Sequence, residues 1–166
     1  MELWDIYDED GNLTGRTMVR NDWHMKAGEY HKTVLGVIRR RDGRFLITRR
    51  VMTKSWAPGH WEISGGGVMA GETADVAVRR ELLEETGIDV KDAEGGYQFT
   101  YKRVNLEAGD NYFVDIYRFD MDLSEADVKI QEAEVMEFKF ASAEEIKELG
   151  KAGVFLHYDS IRRVFE

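Results

Sequence analysis

GGVMAGETADVAVRRELLEETGI, residues 66–88, sets Arg80, Glu81, Glu84 and Glu85 close together in one segment behind a group of glycines. Taken as an α-helix from about Glu72 to Thr86, it turns about 100° per residue, so Glu81, Glu84 and Glu85 fall within roughly a 100° arc and their carboxylates converge. Three clustered anions repel one another. A hard divalent cation relieves that repulsion, and oxygen ligands of this kind suit Mg²⁺ or Mn²⁺ when the phosphates of a substrate complete the shell. Arg80, four residues before Glu84, can hold that carboxylate in its fork of N–H donors. Glu72 opens the helix, where it complements the positive end of the dipole, and Gly87 is the glycine often found just past a helix end. Gly65, Gly66, Gly67 and Gly71 let a backbone loop pass close to a ligand with no Cβ in the way. A merely solvated acidic face explains neither the glycines nor the arginine.

Outward from this helix the chain alternates short strands with turns. Leu3 to Tyr7 and Leu13 to Thr17 flank Asp10-Gly11 and predict an N-terminal hairpin within residues 1–20. Thr33 to Arg39 and Arg44 to Arg50 flank Asp42-Gly43 and predict a second hairpin with core-facing apolar runs. Trp61 to Ser64 is a short strand feeding the glycine loop, and Tyr97 to Val104, Tyr112 to Phe119 and Val135 to Phe140 are further strands. The helix at 72–86 is apolar on two sides, through Ala74, Ala77, Val78 and Leu82 and through Val76 and Leu83, which predicts that it is sandwiched between layers. Two helices close the chain, Ala143 to Lys151 with a capping box at Ser142 and Glu145, and roughly Leu156 to Val164. The pattern is α/β, with helices on both faces of a mixed sheet.

Composition narrows the chemistry. At 166 residues, with no repeat or low-complexity linker and a single proline, Pro58, the chain reads as one domain spanning residues 1–166 with a full hydrophobic core. Apolar runs such as Val34 to Ile38 are far too short to span a bilayer, so no membrane partner is expected. The acidic start MELWDIYDED has neither the basic nor the long apolar segment of a secretory signal, so a cytoplasmic home is expected. The absence of cysteine excludes disulfides, thiolate metal sites and cysteine nucleophiles. A net charge of −9 disfavours a long nucleic acid, but a small phosphorylated molecule arriving with metal ions is compatible. The oligomeric state is left open, a homodimer included.

Other residues are candidates of less specific kinds. Arg49 and Arg50 end a core strand just ahead of the glycines and could bind phosphate bidentately, although strand alternation sends them to opposite faces; Lys54 is a weaker candidate. Arg39, Arg40, Arg41 and Arg44 cluster at a hairpin turn and read as a solvated tip. His24 and His31 are two ligands where a metal site wants at least three, so pairing with acids such as Asp22 and Glu29 is the favoured reading. Trp56, Trp61, Tyr97, Phe99, Tyr101 and Tyr112 are of the kind that stacks on a nucleobase, although on strands such side chains more often belong to the core.

The segment 66–88 resembles the Nudix box of diphosphate hydrolases: glycine, five residues, glutamate, seven residues, arginine, glutamate, an apolar residue, any residue, two glutamates, any residue, glycine and an apolar residue. Gly66, Glu72, Arg80, Glu81, Leu82, Glu84, Glu85, Gly87 and Ile88 occupy those places without departure. The resemblance implies a three-layer α/β/α sandwich and water attack at phosphorus in a nucleoside-diphosphate-linked or other organic diphosphate. It implies Glu81, Glu84, Glu85 and the Gly65 carbonyl as ligands of Mg²⁺ or Mn²⁺, with Gly66, Glu72 and Arg80 as supports. Glu84 and Glu85 would act in catalysis together with Glu134, and Glu84, Glu132 and Glu134 are the candidates for general base. Apart from the resemblance, Arg49 and Arg50 are the candidates for binding the substrate, of which strand alternation lets at most one easily face the cleft.

The order WDIYDEDGNLTGR, a histidine before an apolar strand, FLITRR and WAPGHWEISGGG is similar to the branch of the family that includes isopentenyl diphosphate isomerase. Those isomerases need a catalytic cysteine and a further histidine near the loop that here reads SGGGVM, and a Glu-x-Glu pattern where this chain has DNYFVD. Their Nudix box is degenerate, whereas this one is intact. The expectation is therefore an isomerase-like Nudix hydrolase, with an isomerase or a non-catalytic binding module as alternatives.

Overall fold

A computed structural model describes residues 2–166. In chain order the elements are β1 (Leu3–Tyr7), β2 (Leu13–Val19), β3 (His31–Arg39), β4 (Phe45–Arg50), β5 (Trp61–Glu62), β6 (Ser64–Gly67), α1 (Ala74–Thr86), β7 (Glu94–Arg103), β8 (Tyr112–Asp120), β9 (Val135–Ala141), α2 (Ala143–Lys151) and α3 (Tyr158–Ile161).

β3 organises the sheet. It runs parallel to β8 from His31↔Tyr112 to Arg39↔Asp120 and antiparallel to β6 from Thr33↔Gly67 to Gly36↔Ser64. The Asp42-Gly43 turn forms, with the Gly43 N–H on Arg40 O at 2.9 Å. The hairpin expected around it splays at once, however, because β3 and β4 share only the pair Arg39↔Phe45. β4 continues antiparallel to β5 and β9, while β6 takes the vacated edge of β3. The chain thus crosses from β4 to β3 at Ile63, and Gly65 permits it: a Cβ there would stand 2.0 Å from the Val34 carbonyl oxygen. The expected glycine loop is accordingly a strand over Gly65, Gly66 and Gly67.

Alternation along β3 builds the core on both faces of this mixed sheet. Val34 and Ile38 pack with Ala77, Val78 and Leu82 of α1. Val37 lies on the opposite face with Ile146 of α2, Phe155 and Ile161. Helices therefore cover both faces, which is the α/β/α arrangement. The second apolar side of α1 is not covered as expected: Val76 and Leu83 are exposed, since α1 lies on the outside of its layer.

Local signals set the helix ends. Thr73 caps α1 by accepting from Val76 N–H at 3.2 Å, and Gly87, at φ 74°, donates to Leu83 O. Glu72 therefore precedes the helix rather than opening it. The Ser142 and Glu145 capping box of α2 forms as expected. The last expected helix breaks into α3 and a 3₁₀ turn, Arg162–Phe165, whose tighter winding carries the Phe165 ring onto Phe45 and Phe155 at 5.1 and 5.8 Å. The β1–β2 hairpin is tied down beside α1 by the Trp4 ring stacked on His31 at 4.2 Å and by Gly71 N–H to the Asp5 carboxylate at 2.9 Å. Among the described residues no helix is long and apolar enough to cross a membrane.

Candidate active site

The crossing at Ile63 brings two strands and one helix to a common hollow. Trp61 and Ile63 belong to the core on the α2 side, so Glu62, Ser64 and Gly66 take the α1 side by alternation. On β4 the same rule turns Leu46 toward α1 and carries Arg50 to the carboxylates of that face. The hollow, about 440 Å³, is lined by Arg50, Lys54, Glu62, Gly65, Gly66, Arg80, Glu81, Glu84, Glu85, Gln131 and Glu134, among others. Gly66 leaves room for the Glu81 carboxyl as Arg80 holds it, because a Cβ would meet Glu81 Oε1 at 2.5 Å and displace it.

Arg80 organises one wall. Its Nε and Nη2 grip both Glu72 oxygens at 2.8 and 3.0 Å, and its Nη1 donates to Glu81 Oε1 at 2.9 Å. The expected fork on Glu84 is thus replaced by a fork on Glu72; Glu84 is only an ion pair at 3.5 Å, because its side chain is half exposed at the helix edge. Arg80 holds the Glu72 carboxyl below its ordinary range.

Three carboxyls of the hollow are held above their ordinary range despite nearby arginines. Burial raises the Glu81 carboxyl above its ordinary range against the pull of Arg80. Glu85 is pushed well above that range by burial and then by the charges of Glu62 and Glu81, with Ser64 opposing the shift. Glu62 is also raised by burial, although Arg50 Nη1 lies 3.1 Å from its Oε2. Buried carboxyls that favour protons favour a cation for the same electrostatic reason. Among the described residues no three acids or histidines already stand as a metal cage. The donor set fits a cation that keeps water and takes substrate oxygens, as Mg²⁺ does, rather than one enclosed by protein.

Glu134 reaches the hollow from a distant segment. Lys129 N–H to Thr86 O and Gln131 N–H to Glu85 O, at 2.8 and 3.1 Å, dock that segment on the end of α1, and Lys54 pairs with Glu134. Glu132 is exposed and does not line the hollow. Arg49 also stands outside it: on the other face of β4, its Nε donates to Gly59 O at 2.8 Å and its Nη1 to Glu137 at 3.3 Å. His24 and His31 do not meet as ligands. His24 pairs with Asp22 at 2.9 Å, as expected, whereas His31 is buried on Trp4 and pairs with Asp110 at 2.9 Å instead of Glu29.

A larger hollow of about 660 Å³ lies among Arg39, Arg40, Arg41, Asp92, Glu94 and Asp122. Two of its arginines are paired with nearby acids, Arg39 with Asp120 at 2.8 Å and Arg40 with Asp42 at 2.6 Å, and the box carboxylates lie elsewhere, so size does not make it the reactive site. Sequence reasoning missed Glu62, Ser64 and Gln131. For the first two a signal existed, since counting back in twos from Gly66 reaches Ser64 and then Glu62.

Comparison with known proteins identifies the family and the fold. A family model described as NUDIX domain matches residues 29–163. The uncharacterized Nudix hydrolase lmo0368 of Listeria monocytogenes is 31% identical over 166 residues, covering 99% of this chain and 94% of that protein. The isopentenyl-diphosphate Delta-isomerase of Corynebacterium diphtheriae is 37% identical over 89 residues, 53% of this chain and 48% of the isomerase. The structure of DR0079 from Deinococcus radiodurans superposes with a TM-score of 0.77 at 19% identity, over 99% of this chain and 100% of that one, and so shares the fold. With its intact box folded around a carboxylate hollow, this chain belongs to the Nudix hydrolase family.

Proposed function

We propose that the chain cleaves the diphosphate bond of a nucleoside-diphosphate-linked or other organic diphosphate, with Mg²⁺ or Mn²⁺ bound by Glu81, Glu84, Glu85 and the Gly65 carbonyl. One observation carries this reading: the Glu81 and Glu85 carboxyls share a hollow with cationic side chains that include Arg50 and Lys54. Such a hollow suits a metal ion on its carboxylates and an anionic diphosphate on its cations. When bound, the metal would supply charge to the phosphoryl oxygens and a more acidic water. Arg50 and Lys54 would hold the diphosphate oxygens, and Arg80 would keep Glu81 aimed at the site through the contact at 2.9 Å. A water oxygen bonds to phosphorus, the bridging oxygen–phosphorus bond breaks, and the water's proton passes to a carboxylate. Glu84, Glu85 and Glu134 line the site and can accept it. Glu72 and Gly66 are supports, the first through Arg80 and the second by making room for Glu81. A cytoplasmic setting suits a cysteine-free chain of this kind.

The test is a panel of nucleoside and prenyl diphosphates with Mg²⁺ or Mn²⁺, in which phosphate release and double-bond migration are both followed. Phosphate release that excess EDTA abolishes is the expected result. Undiminished turnover in EDTA overturns the metal assignment, and conversion of isopentenyl to dimethylallyl diphosphate overturns the hydrolase reading.

A further inference from the structure

The N-terminal hairpin reaches the hollow as well. Leu3 O accepts from Ala70 N–H at 2.7 Å, the Asp5 carboxylate accepts from Gly71 N–H at 2.9 Å, and Trp4 lies so close over Gly67 that a Cβ there would stand 2.7 Å from its Nε1. These contacts lay β1 along the segment that joins β6 to α1. The open end of the hairpin therefore stands at the rim of the hollow, where Glu2 and Arg20 form part of the lining beside Met69. Arg20 N–H donates to Glu2 O at 3.0 Å, and the Arg20 guanidinium pairs with the Glu2 carboxylate. Both residues lie outside the stretch 29–163 that the family model matches.

The ion pairs of the hollow are not equally firm. Arg50 and Glu62 are 18% and 20% exposed at their side chains, whereas Arg20 and Glu2 are 47% and 46% exposed. Water screens an exposed pair and lets its two long side chains move, so Arg20 and Glu2 part more easily than Arg50 and Glu62. Glu2 presents to the guanidinium the same kind of anionic oxygen that a phosphoryl group would. Carboxylates also outnumber cations around the hollow, since Glu2, Glu62, Glu81, Glu84, Glu85 and Glu134 face Arg20, Arg50, Lys54 and Arg80. An anion that enters is held best by a cation that can give up its internal partner.

We infer that Arg20 is a substrate-binding residue held in check by Glu2: a diphosphate in the hollow takes the guanidinium from Glu2, and the N-terminal hairpin then grips the phosphoryl oxygens together with Arg50 and Lys54. The inference rests on the function proposed above and adds to it a binding residue and an internal competitor. Arg50 and Lys54 come from the end of β4 and the turn after it, so Arg20 lets a second, separate element hold the same anion. The Glu2 carboxylate is an autoinhibitory contact, because it competes with the phosphoryl oxygens for the same donors. A pair that served only to close the hairpin would behave differently, since cutting it from either side would have the same effect.

Calorimetric titration in Mg²⁺ with methylenediphosphonate, a non-hydrolysable diphosphate, tests it. Arg20→Ala should weaken binding about tenfold, as loss of a charge-assisted contact does, and Glu2→Gln should tighten it about threefold, because the exposed pair competes only weakly. Arg16→Ala removes the same charge from the same hairpin, but Arg16 pairs with Glu29 at 2.6 Å and does not line the hollow, so binding should stay within about twofold. Glu2, Arg16 and Arg20 are all exposed, so the three variants are expected to fold, which a thermal melt checks. An Arg20→Ala variant that binds like Arg16→Ala overturns the inference, and so does a Glu2→Gln variant that binds no more tightly than the parent; equal weakening by Arg20→Ala and Glu2→Gln would assign the pair to hairpin closure. In these cases the proposed function stands if Arg50→Ala still weakens binding. Absence of Mg²⁺-dependent binding to the parent is a different failure, which overturns the diphosphate cleft and the inference with it.

Discussion

Glu85→Gln should lower turnover at least about a hundredfold while leaving the metal-free protein as stable as the parent or more so. The substitution keeps size and hydrogen bonding and removes one unit of charge from the side chain that burial, Glu62 and Glu81 all press toward protonation. A hundredfold corresponds to about 2.7 kcal/mol in the barrier, a modest demand on a group that would hold the cation. In the metal-free protein the carboxyl either ionises against its neighbours or takes a proton. The cost is bounded by the interval from its ordinary value of 4.5 to the working pH; at about 1.4 kcal/mol per unit, pH 7 sets a ceiling of about 3.5 kcal/mol.

The sign of the pH dependence follows. Above 4.5 the native Glu81 and Glu85 carboxyls retain protons that the unfolded chain has released, so metal-free stability falls as pH rises from there through the raised native values. The variant flattens that limb. Mg²⁺ at about 100 times the parent's Kd adds about 2.7 kcal/mol, and a tenfold weaker site adds about 1.4 kcal/mol, so the Mg²⁺-induced rise in Tm should roughly halve. Scanning calorimetry with and without Mg²⁺, alongside phosphate release, measures all of these. Near-normal turnover with an unchanged Mg²⁺ shift would refute the reasoning and move the metal elsewhere.

Arg50→Ala should raise KM for a diphosphate at least about tenfold, whereas Arg49→Ala, on the opposite face of β4, should stay within about twofold; equal effects would contradict the alternation that separates them. Arg80→Ala leaves Glu72 and Glu81, only 11% and 14% exposed at their side chains, without their partner, and should destabilise by about 1–3 kcal/mol in urea unfolding at neutral pH. Because Arg80 holds Glu72 below 4.5, the stability it provides is present above that pH and is lost as pH falls through the native value; the variant should lack this acid limb, and an unaltered limb would sink the assignment. His24→Ala with His31→Ala should leave Mg²⁺-dependent turnover of the folded protein within about tenfold, about 1.4 kcal/mol, while Tm drops because His31 is buried under Trp4. A thousandfold loss in a folded double variant would point to a metal role for the histidines.

What the sequence determined by itself was local. The convergence of Glu81, Glu84 and Glu85 follows from helical pitch alone, and the Ser142 and Glu145 box and the Gly87 stop depend on residues no more than four positions apart. The strands and the α/β class were legible for the same reason, since a period of two or of 3.6 is written into neighbouring residues. Residues distant along the chain decided the rest. Gly65, Gly66 and Gly67 read locally as a loop, yet they form a strand because β3 offers an edge that β4 leaves after one pair. Arg80 read locally as the partner of Glu84, but the turn before α1 brings Glu72 back onto its guanidinium. Arg50 rather than Arg49 meets the carboxylates because the side of the sheet on which α1 packs is a tertiary choice, and Glu134 joins them only when its segment docks on the end of α1. Helix pitch and capping act within a few residues, whereas strand partners and layer faces are selected by the burial of the whole core, so only the folded chain could say which charges share the hollow.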